Sequence, residues 1–543
     1  MAVCRAWMNR ANDASQLSIW LDRAIIFWLF VFALFAPHSI AVTQGAWLIG
    51  MLLWVIRLFV FPPPKTYRTP VDYALLGFFI LTGISALLSY EPMVSIGKLR
   101  AANLFTIVYL FAENLHSRRV VRLLAVTLVA SCMINVIYTA GTRVVGRGVK
   151  VQAVKADSPL SAGVLLWQGK RLPFAITGGD TVLKVDSLRV HNAEQLATAL
   201  DASPGSPPAH IQIYRGELSG TILVSRGRLL SGATPEQRLG ILGWSKDRDW
   251  RATGFYGHYV TYAEALQLIA SLGLGLFICL PMRRSRNGGL LVFAIAGLSF
   301  ALLLTVTRAS WLAFLVSAVV MLVLGTSRRT ILIVGVCVIP IVLAGLFVLH
   351  QKRNVGFFDR LDASTTWRET VWREGLNVLV SKPRHLLVGV GMDSIKAHWR
   401  QWGLFDNGRL PVGHMHSNLL QIALERGVPA LIVWLMLLGI YARILWRSFR
   451  ELEIRKNNHA DTESAEQRRK EKGDAEPLSL PNGTWMDRGI VLGALGGLVG
   501  FFISGLVHYN WGDSEVVMIF YLIMGLSLAV ERQTKLKIEN YPR

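Results

Sequence analysis

The chain has 543 residues, of which 52% are hydrophobic and only 17% charged, and its net charge is +22. A soluble chain of this size carries charge on about a quarter of its residues. The low charge content and the recurring apolar runs therefore exclude a soluble globular protein and point to a polytopic membrane protein. The basic excess does not indicate nucleic acid, because Lys and Arg fall in short loops between apolar runs with no recognition motif among them.

About twelve transmembrane helices are predicted, each near the roughly twenty residues a bilayer requires. They fall at 23–40, 44–62, 72–89, 98–114, 119–140, 257–281, 288–306, 309–326, 329–350, 419–445, 488–508 and 514–531. The first resembles a signal-peptide core over Arg23–Phe30, but a polar leader precedes it and a second span follows at once, so a retained helix is expected. The cysteines are Cys4, Cys132, Cys279 and Cys337, none in a large loop, so neither a disulfide framework nor a zinc spacing is expected.

Loop charge sets the orientation. Arg5, Arg10 and Arg23, then Lys65 and Arg68, Arg118 and Arg119, Arg283 and Arg284, Arg328 and Arg329, and the tail residues Arg532, Lys535 and Lys537 alternate with loops poor in basic residues. Placing the basic loops inside puts both termini in the cytoplasm and segments 141–256 and 351–418 outside. A bacterial inner (cytoplasmic) membrane is the expected location. Lys98, Arg100 and Arg308 then lie on the outer side. Snorkelling to lipid phosphate is the plain explanation for them, and an outer-face anion site is the functional one.

Residues 147–230 break the membrane pattern. Strands are predicted at 149–154, 210–215 and 221–226, with a short helix opening after Asn192. The order Ser158-Pro159, Ala162-Gly163, Gly179-Asp180 and a closing strand with Arg215 resembles a PDZ domain of bacterial envelope proteases. It departs from that pattern by about a dozen extra residues, Val164 to Thr177. A PDZ fold implies binding of an extended chain by strand addition, and so an extracytoplasmic protein partner. The organisation is thus 1–146 (five spans), 147–230 (PDZ-like insertion), 231–445 (five spans with an outer loop 351–418), 446–487 (a charged, solvated cytoplasmic loop) and 488–543 (two spans and a tail).

Polar residues collect on the outer side: Gly257-His258 before the sixth span, Arg308 after the seventh, Arg368 and Trp372 in the outer loop, and His414-Met415-His416-Ser417 before the tenth. Arg offers paired donors to phosphate oxygens and keeps its charge. A neutral His accepts a hydroxyl proton near neutral pH. No carboxylate pair at metal-ligand spacing accompanies them. The set suits displacement of a lipid diphosphate leaving group by a hydroxyl, with Arg neutralising the leaving charge.

Three motifs carry a family resemblance. His416, Ser417 and, after nine intervening residues, Gly427 form one; Arg308, Ala309 and Trp311 a second; Arg368, Trp372, Pro383, Gly389 and Gly391 a third. They resemble the O-antigen ligase and O-antigen polymerase group of membrane glycosyltransferases, related to protein O-oligosaccharyltransferases. The resemblance runs from about Arg251 to Leu445, and Ala430 stands where the ligase pattern often has Gly, Thr or Tyr. It implies a GT-C-like fold and transfer, with no metal or cofactor, from a polyprenyl diphosphate-linked glycan to a lipid or protein acceptor. It also implies roles: His416 as base or acceptor-positioning group, Arg308 and Arg368 on the diphosphate. His414, His258, Lys98, Arg100 and Trp372 are secondary substrate-binding candidates. A transporter of the same lipid, which would carry its charges near the bilayer midplane, and a non-enzymatic envelope scaffold are the alternatives from other classes.

Overall fold

The computed structural model describes residues 2–167, 170–203, 206–215, 218–332, 336, 363–470 and 484–539. They form two compact units, Met1–Asn135 with Thr253–Arg543, and Val136–Ala252. Ten helices among the described residues are long and apolar enough to cross a membrane. A shorter apolar helix spans Asp72–Leu87. The predicted ninth span, 329–350, lies almost entirely outside the described residues. The polytopic helical class expected from hydropathy is therefore the observed one.

The helices in chain order are α1 (Ala2–Phe35), α2 (Ile40–Phe59), α3 (Asp72–Leu87), α4 (Pro92–Ala102), α5 (Thr106–Asn114) and α6 (Arg118–Val145). The predicted fourth span is thus two helices joined by a 3-10 turn, Asn103–Phe105. After the second unit come α9 (Tyr259–Cys279), α10 (Arg286–Leu304), α11 (Arg308–Gly325), α12 (Ala363–Val380), α13 (Pro383–Val388) and α14 (Ser394–His398). The last are α15 (Asn418–Arg426), α16 (Val428–Lys470), α17 (Thr484–Gly505) and α18 (Ser514–Glu539).

One predicted span divides. Residues 419–445 are read from hydropathy as a single helix, but α15 stops at Arg426 and α16 starts afresh at Val428. Pro429 has no N–H and its ring would clash with the carbonyl four residues back. Gly427 takes φ +84 at the break, and a Cβ there would lie 2.4 Å from the Leu387 carbonyl oxygen. The orphan carbonyls at the end of α15 are met from α13's exit: Val390 N–H donates to Leu424 O at 2.8 Å and Gly391 N–H to Glu425 O at 2.9 Å. The Gly-x-Gly motif therefore caps the helix that follows His416.

The centre of the first unit is the α9–α17 pair. A Cβ on Gly275 would lie 2.4 Å from Gly493 N and 2.5 Å from Gly489 O. One on Gly493 would lie 2.7 Å from Leu272 Cα. Without side chains between them the two backbones approach closely, the small-residue mode of membrane helix packing. Helix α11 joins through Ser317, whose hydroxyl donates to Gly496 O and sits 3.0 Å from the Ser271 hydroxyl. At the end of the bundle where α6 and α17 begin, Asp487 is fully buried and held by Arg118 at 3.1 Å and Arg122 at 2.7 Å.

The second unit is a sheet of eight strands in the order β3-β2-β7-β6-β4-β1-β8, with β5 beside β4. Its strands are β1 (Arg147–Val154), β2 (Gly163–Trp167), β3 (Lys170–Phe174), β4 (Thr181–Val185), β5 (Leu188–Arg189), β6 (Ala209–Arg215), β7 (Leu218–Val224) and β8 (Ile241–Asp247). Helices α7 (Ala193–Leu200) and α8 (Pro235–Leu239) complete it. Asn192 caps α7, accepting from Gln195 N–H at 2.8 Å. Strand β8 pairs with β1, Arg147 opposite Asp247, so the sheet continues past residue 230. Alternation is weak in Ile241–Asp247, which is why this strand is hard to read from sequence. The extra residues after Gly163 form the β2–β3 hairpin, Gly163 opposite Phe174. Arg215 grips Asp180 with two hydrogen bonds of 2.7 and 2.6 Å, which accounts for the Gly-Asp and Arg features noted in sequence. The core includes Val149, Val182, Leu196, Ile211 and Ile222, all buried.

Gly493→Leu should push α9 from α17 and cost at least the ~1–3 kcal/mol typical of overpacking. Thermal unfolding in detergent checks this, with Gly289→Ala as control, since nothing lies within 4 Å of a Cβ at Gly289. A Gly493→Leu transition matching wild type contradicts the packing account.

Candidate functional site: a histidine cavity at one end of the bundle

The loop before α15 is pinned at Met415. Met415 is fully buried. Its N–H donates to Gln421 Oε1 at 2.6 Å and its carbonyl accepts from Trp372 Nε1 at 2.7 Å. His414 and His416, the residues on either side, both line one cavity. His416 adopts φ +49, a left-handed conformation that is uncommon for a non-glycine residue and collects at functional sites. Its N–H donates to His414 Nδ1 at 3.2 Å. Neutral His414 therefore carries its proton on Nε2. The two rings are 3.9 Å apart, and the Trp367 ring meets His416 edge-on at 4.3 Å.

The cavity measures about 380 Å³ and is walled by four histidines, His258, His414, His416 and His508, with Glu264, Asp513, Glu515 and Tyr509. An asparagine pair fixes one wall. Asn418 Nδ2 donates to Asn510 Oδ1 at 2.5 Å, and Asn418 Oδ1 accepts from Trp511 N–H at 3.1 Å. Asn510 Nδ2 in turn donates to Phe501 O and Ser504 Oγ, each at 2.9 Å. The segment between α17 and α18 is thereby tied to the start of α15. Asp513 accepts from Thr261 on α9, and Glu264 meets His508 Nδ1 at 3.0 Å.

Burial is the main reason that His416 is held neutral, with its imidazole lowered to about 2; unfavourable charge interactions with His414, His508, Arg368 and His258 add to it. His414 is lowered to about 4, chiefly by burial and then by Lys396 and His258, against the opposing pull of Asp513 and Asp393. Because only the charged form is disfavoured, both rings stay neutral from high pH down through pH 5.

The predicted residues fall into groups. His416, His414 and His258 share the cavity. Arg368, on α12 one residue after Trp367, is close enough for its charge to act on His416. Trp372, one turn further, holds the Met415 carbonyl. Arg308 is the first residue of α11 and lies two residues after Val306, whose φ of +53 is an outlier for a β-branched residue. A cation at a helix N-terminus opposes the helix dipole, so helix stability does not explain it. Arg308 is not in the cavity lining, nor are Arg368, Trp372, Lys98 and Arg100. Lys98 pairs with Asp393 at 2.8 Å, as does Lys396, and Arg100 is exposed.

Sequence reasoning missed Glu264, His508, Tyr509, Asp513 and Glu515. Glu264 offered a signal, being a carboxylate inside an apolar run. The polar stretch His508–Asp513 between two spans offered another. Asn418 and Gln421 lie within the motif but show their roles only through distant partners. Among the described residues no three His, Cys, Asp or Glu side chains are grouped to hold a metal ion.

This arrangement defines a multi-pass helical membrane protein with a polar, histidine-lined cavity at one end of its bundle. Residues 291–435 match the family model described as O-antigen ligase, so this segment of the chain is similar to that family. The match takes in Arg308, Arg368, Trp372, His414 and His416. No curated protein matches the chain. At family level the match implies a membrane glycosyltransferase-type enzyme working on lipid-linked glycans.

Histidine side-chain NMR in nanodiscs, with His416→Gln to assign the signal, should show a neutral His416 ring from pH 8 to pH 5. A titration midpoint near the ordinary value of about 6.5 contradicts the burial account.

Proposed function

We propose that this protein transfers a saccharide from a polyprenyl diphosphate-linked donor to an acceptor hydroxyl at the extracytoplasmic face of a bacterial inner membrane, as an O-antigen ligase-like enzyme. The observation that carries the reading is the neutral, left-handed His416 in a polar cavity with the Arg368 charge acting on it. The acceptor oxygen attacks the anomeric carbon as the bond from that carbon to the diphosphate oxygen breaks. Negative charge grows on the departing diphosphate, and Arg368 and Arg308 neutralise it with fixed guanidinium donors. His416 receives the acceptor hydroxyl, as base or as hydrogen-bond acceptor. A ring lowered by burial and by positive charge nearby is a weak base alone, and an arriving diphosphate offsets the charge effect and raises it. Donor binding thus prepares the ring that the acceptor meets.

The orientation in this reading rests on charge. The end of the bundle where α6 and α17 begin carries Arg118, Arg122 and Arg488, as the cytoplasmic side should. The cavity end is then outside, with both termini in the cytoplasm. Lys98 and Arg100 are secondary phosphate contacts in the same scheme.

Transfer to a protein, or glycan polymerisation, is the alternative outcome. The second unit favours a protein acceptor or partner: β3 and β8 are the outermost strands of its sheet, and an edge strand accepts an extended peptide by strand addition. This is the sense in which the PDZ-like reading is retained.

His416→Ala and Arg368→Ala should each lower transfer by about 10²–10⁴-fold while membrane insertion is unchanged. Purified variants, a defined lipid diphosphate donor and an acceptor oligosaccharide make the check; full activity in either variant sinks the mechanism. Replacing 148–246 by a short linker, which keeps the paired ends Arg147 and Asp247, should change acceptor or partner choice and leave transfer to a simple acceptor within about threefold. Loss of that basal transfer contradicts the assignment of the sheet to acceptor choice.

A further inference from the structure

His416 is buried with the Arg368 charge acting on it, and the acceptor proton needs a destination with a compensating negative charge. The cavity contains one. Glu264 lies in the second turn of α9, is only 2% exposed, and meets His508 Nδ1 through Oε1 at 3.0 Å. His508 is itself buried, at 5% exposure, in the turn between α17 and α18. Both line the same cavity as His414 and His416. An ionisable side chain inside a spanning helix is costly, and here it is spent on a histidine facing the reaction chamber. Carboxylate, then imidazole, then cavity is the order in which an acid–base pair is built: the carboxylate fixes the tautomer and balances the imidazolium that forms.

We propose that Glu264 and His508 form a second acid–base pair of the transfer site, in which His508 takes the acceptor hydroxyl's proton and Glu264 holds the ring. The pair deepens the glycosyl-transfer reading and rests on it. His416 orients the hydroxyl. The acceptor oxygen forms its bond to the anomeric carbon and its proton passes to His508 Nε2. The bond from the anomeric carbon to the diphosphate oxygen breaks, and its electron pair leaves with the lipid diphosphate. Glu264 is a positioning residue, since it acts through His508.

The groups facing His508 come from four elements: Glu264 on α9 and His258 just before it, His414 and His416 ahead of α15, Tyr509 and Asp513 in its own turn, and Glu515 on α18. Glu264 is in direct contact with the ring, at 3.0 Å.

The test is a pH–rate profile with purified protein in nanodiscs, a polyprenyl diphosphate-linked sugar and an acceptor oligosaccharide. Glu264→Gln keeps the shape and removes the charge. It should lower kcat by about 10²–10⁴-fold, move the acid limb down by about one to three pH units, and leave the donor KM within about threefold. Glu264→Asp should keep the limb. A wild-type limb and rate in Glu264→Gln overturn the pair while leaving glycosyl transfer standing. Absence of transfer by the wild-type protein overturns the function and the pair together. If Glu264→Gln does not yield monodisperse protein, His508→Ala decides. Recovery of at least about tenfold of its lost rate on adding imidazole supports the proton role, and no recovery in a monodisperse variant rejects it.

Discussion

The close contact of α9 and α17 is the constraint on which the rest of the first unit depends. Gly275, Gly489 and Gly493 remove the side chains that would hold the two backbones apart. Each helix then delivers a residue to the same end: α9 carries Glu264 and Thr261, and the turn after α17 carries His508 and Asp513. The contact supplies packing energy where the hydrophobic effect does not drive helices together. It also sets the spacing of a polar chamber within a low-dielectric surround, where every charge acts more strongly than in water.

The histidine loop is built onto that frame by a second set of bonds. Trp372 and Gln421 hold the Met415 backbone, the Asn418–Asn510 pair holds the start of α15, and the Gly389–Gly391 loop caps its end. These contacts over-determine a loop whose His416 is in an otherwise unfavourable conformation, which is how a strained residue persists. The motif residues thus divide in two. Arg368 and His416 carry chemistry in the proposed mechanism, whereas Trp372, Gly389, Gly391 and Gly427 shape the place where it happens.

The apolar runs made the helical membrane class legible, because span length is fixed by the bilayer. Hydropathy did not show that 419–445 contains a break, since Gly427 and Pro429 interrupt the backbone without lowering the apolar content of the window. The first strands of the second unit were legible through alternation, while β8 depends on pairing with a strand almost a hundred residues earlier in the chain. At the site, His416 and Arg368 stood out as polar residues in a motif, and His414 as a polar residue beside one. Glu264 and His508 did not, because their meaning lies in a 3.0 Å contact between residues on separate helical hairpins.

The central claim is that the cavity beside His416 is where a lipid diphosphate-linked sugar reacts. It is tested most directly by a cryo-EM structure in nanodiscs with a non-cleavable phosphonate analogue of that donor. The account predicts the anomeric carbon beside His416, the phosphonate at Arg368, and an open approach past His508 for the acceptor. Saturating analogue bound away from this cavity, or at the opposite end of the bundle near Asp487, would contradict it.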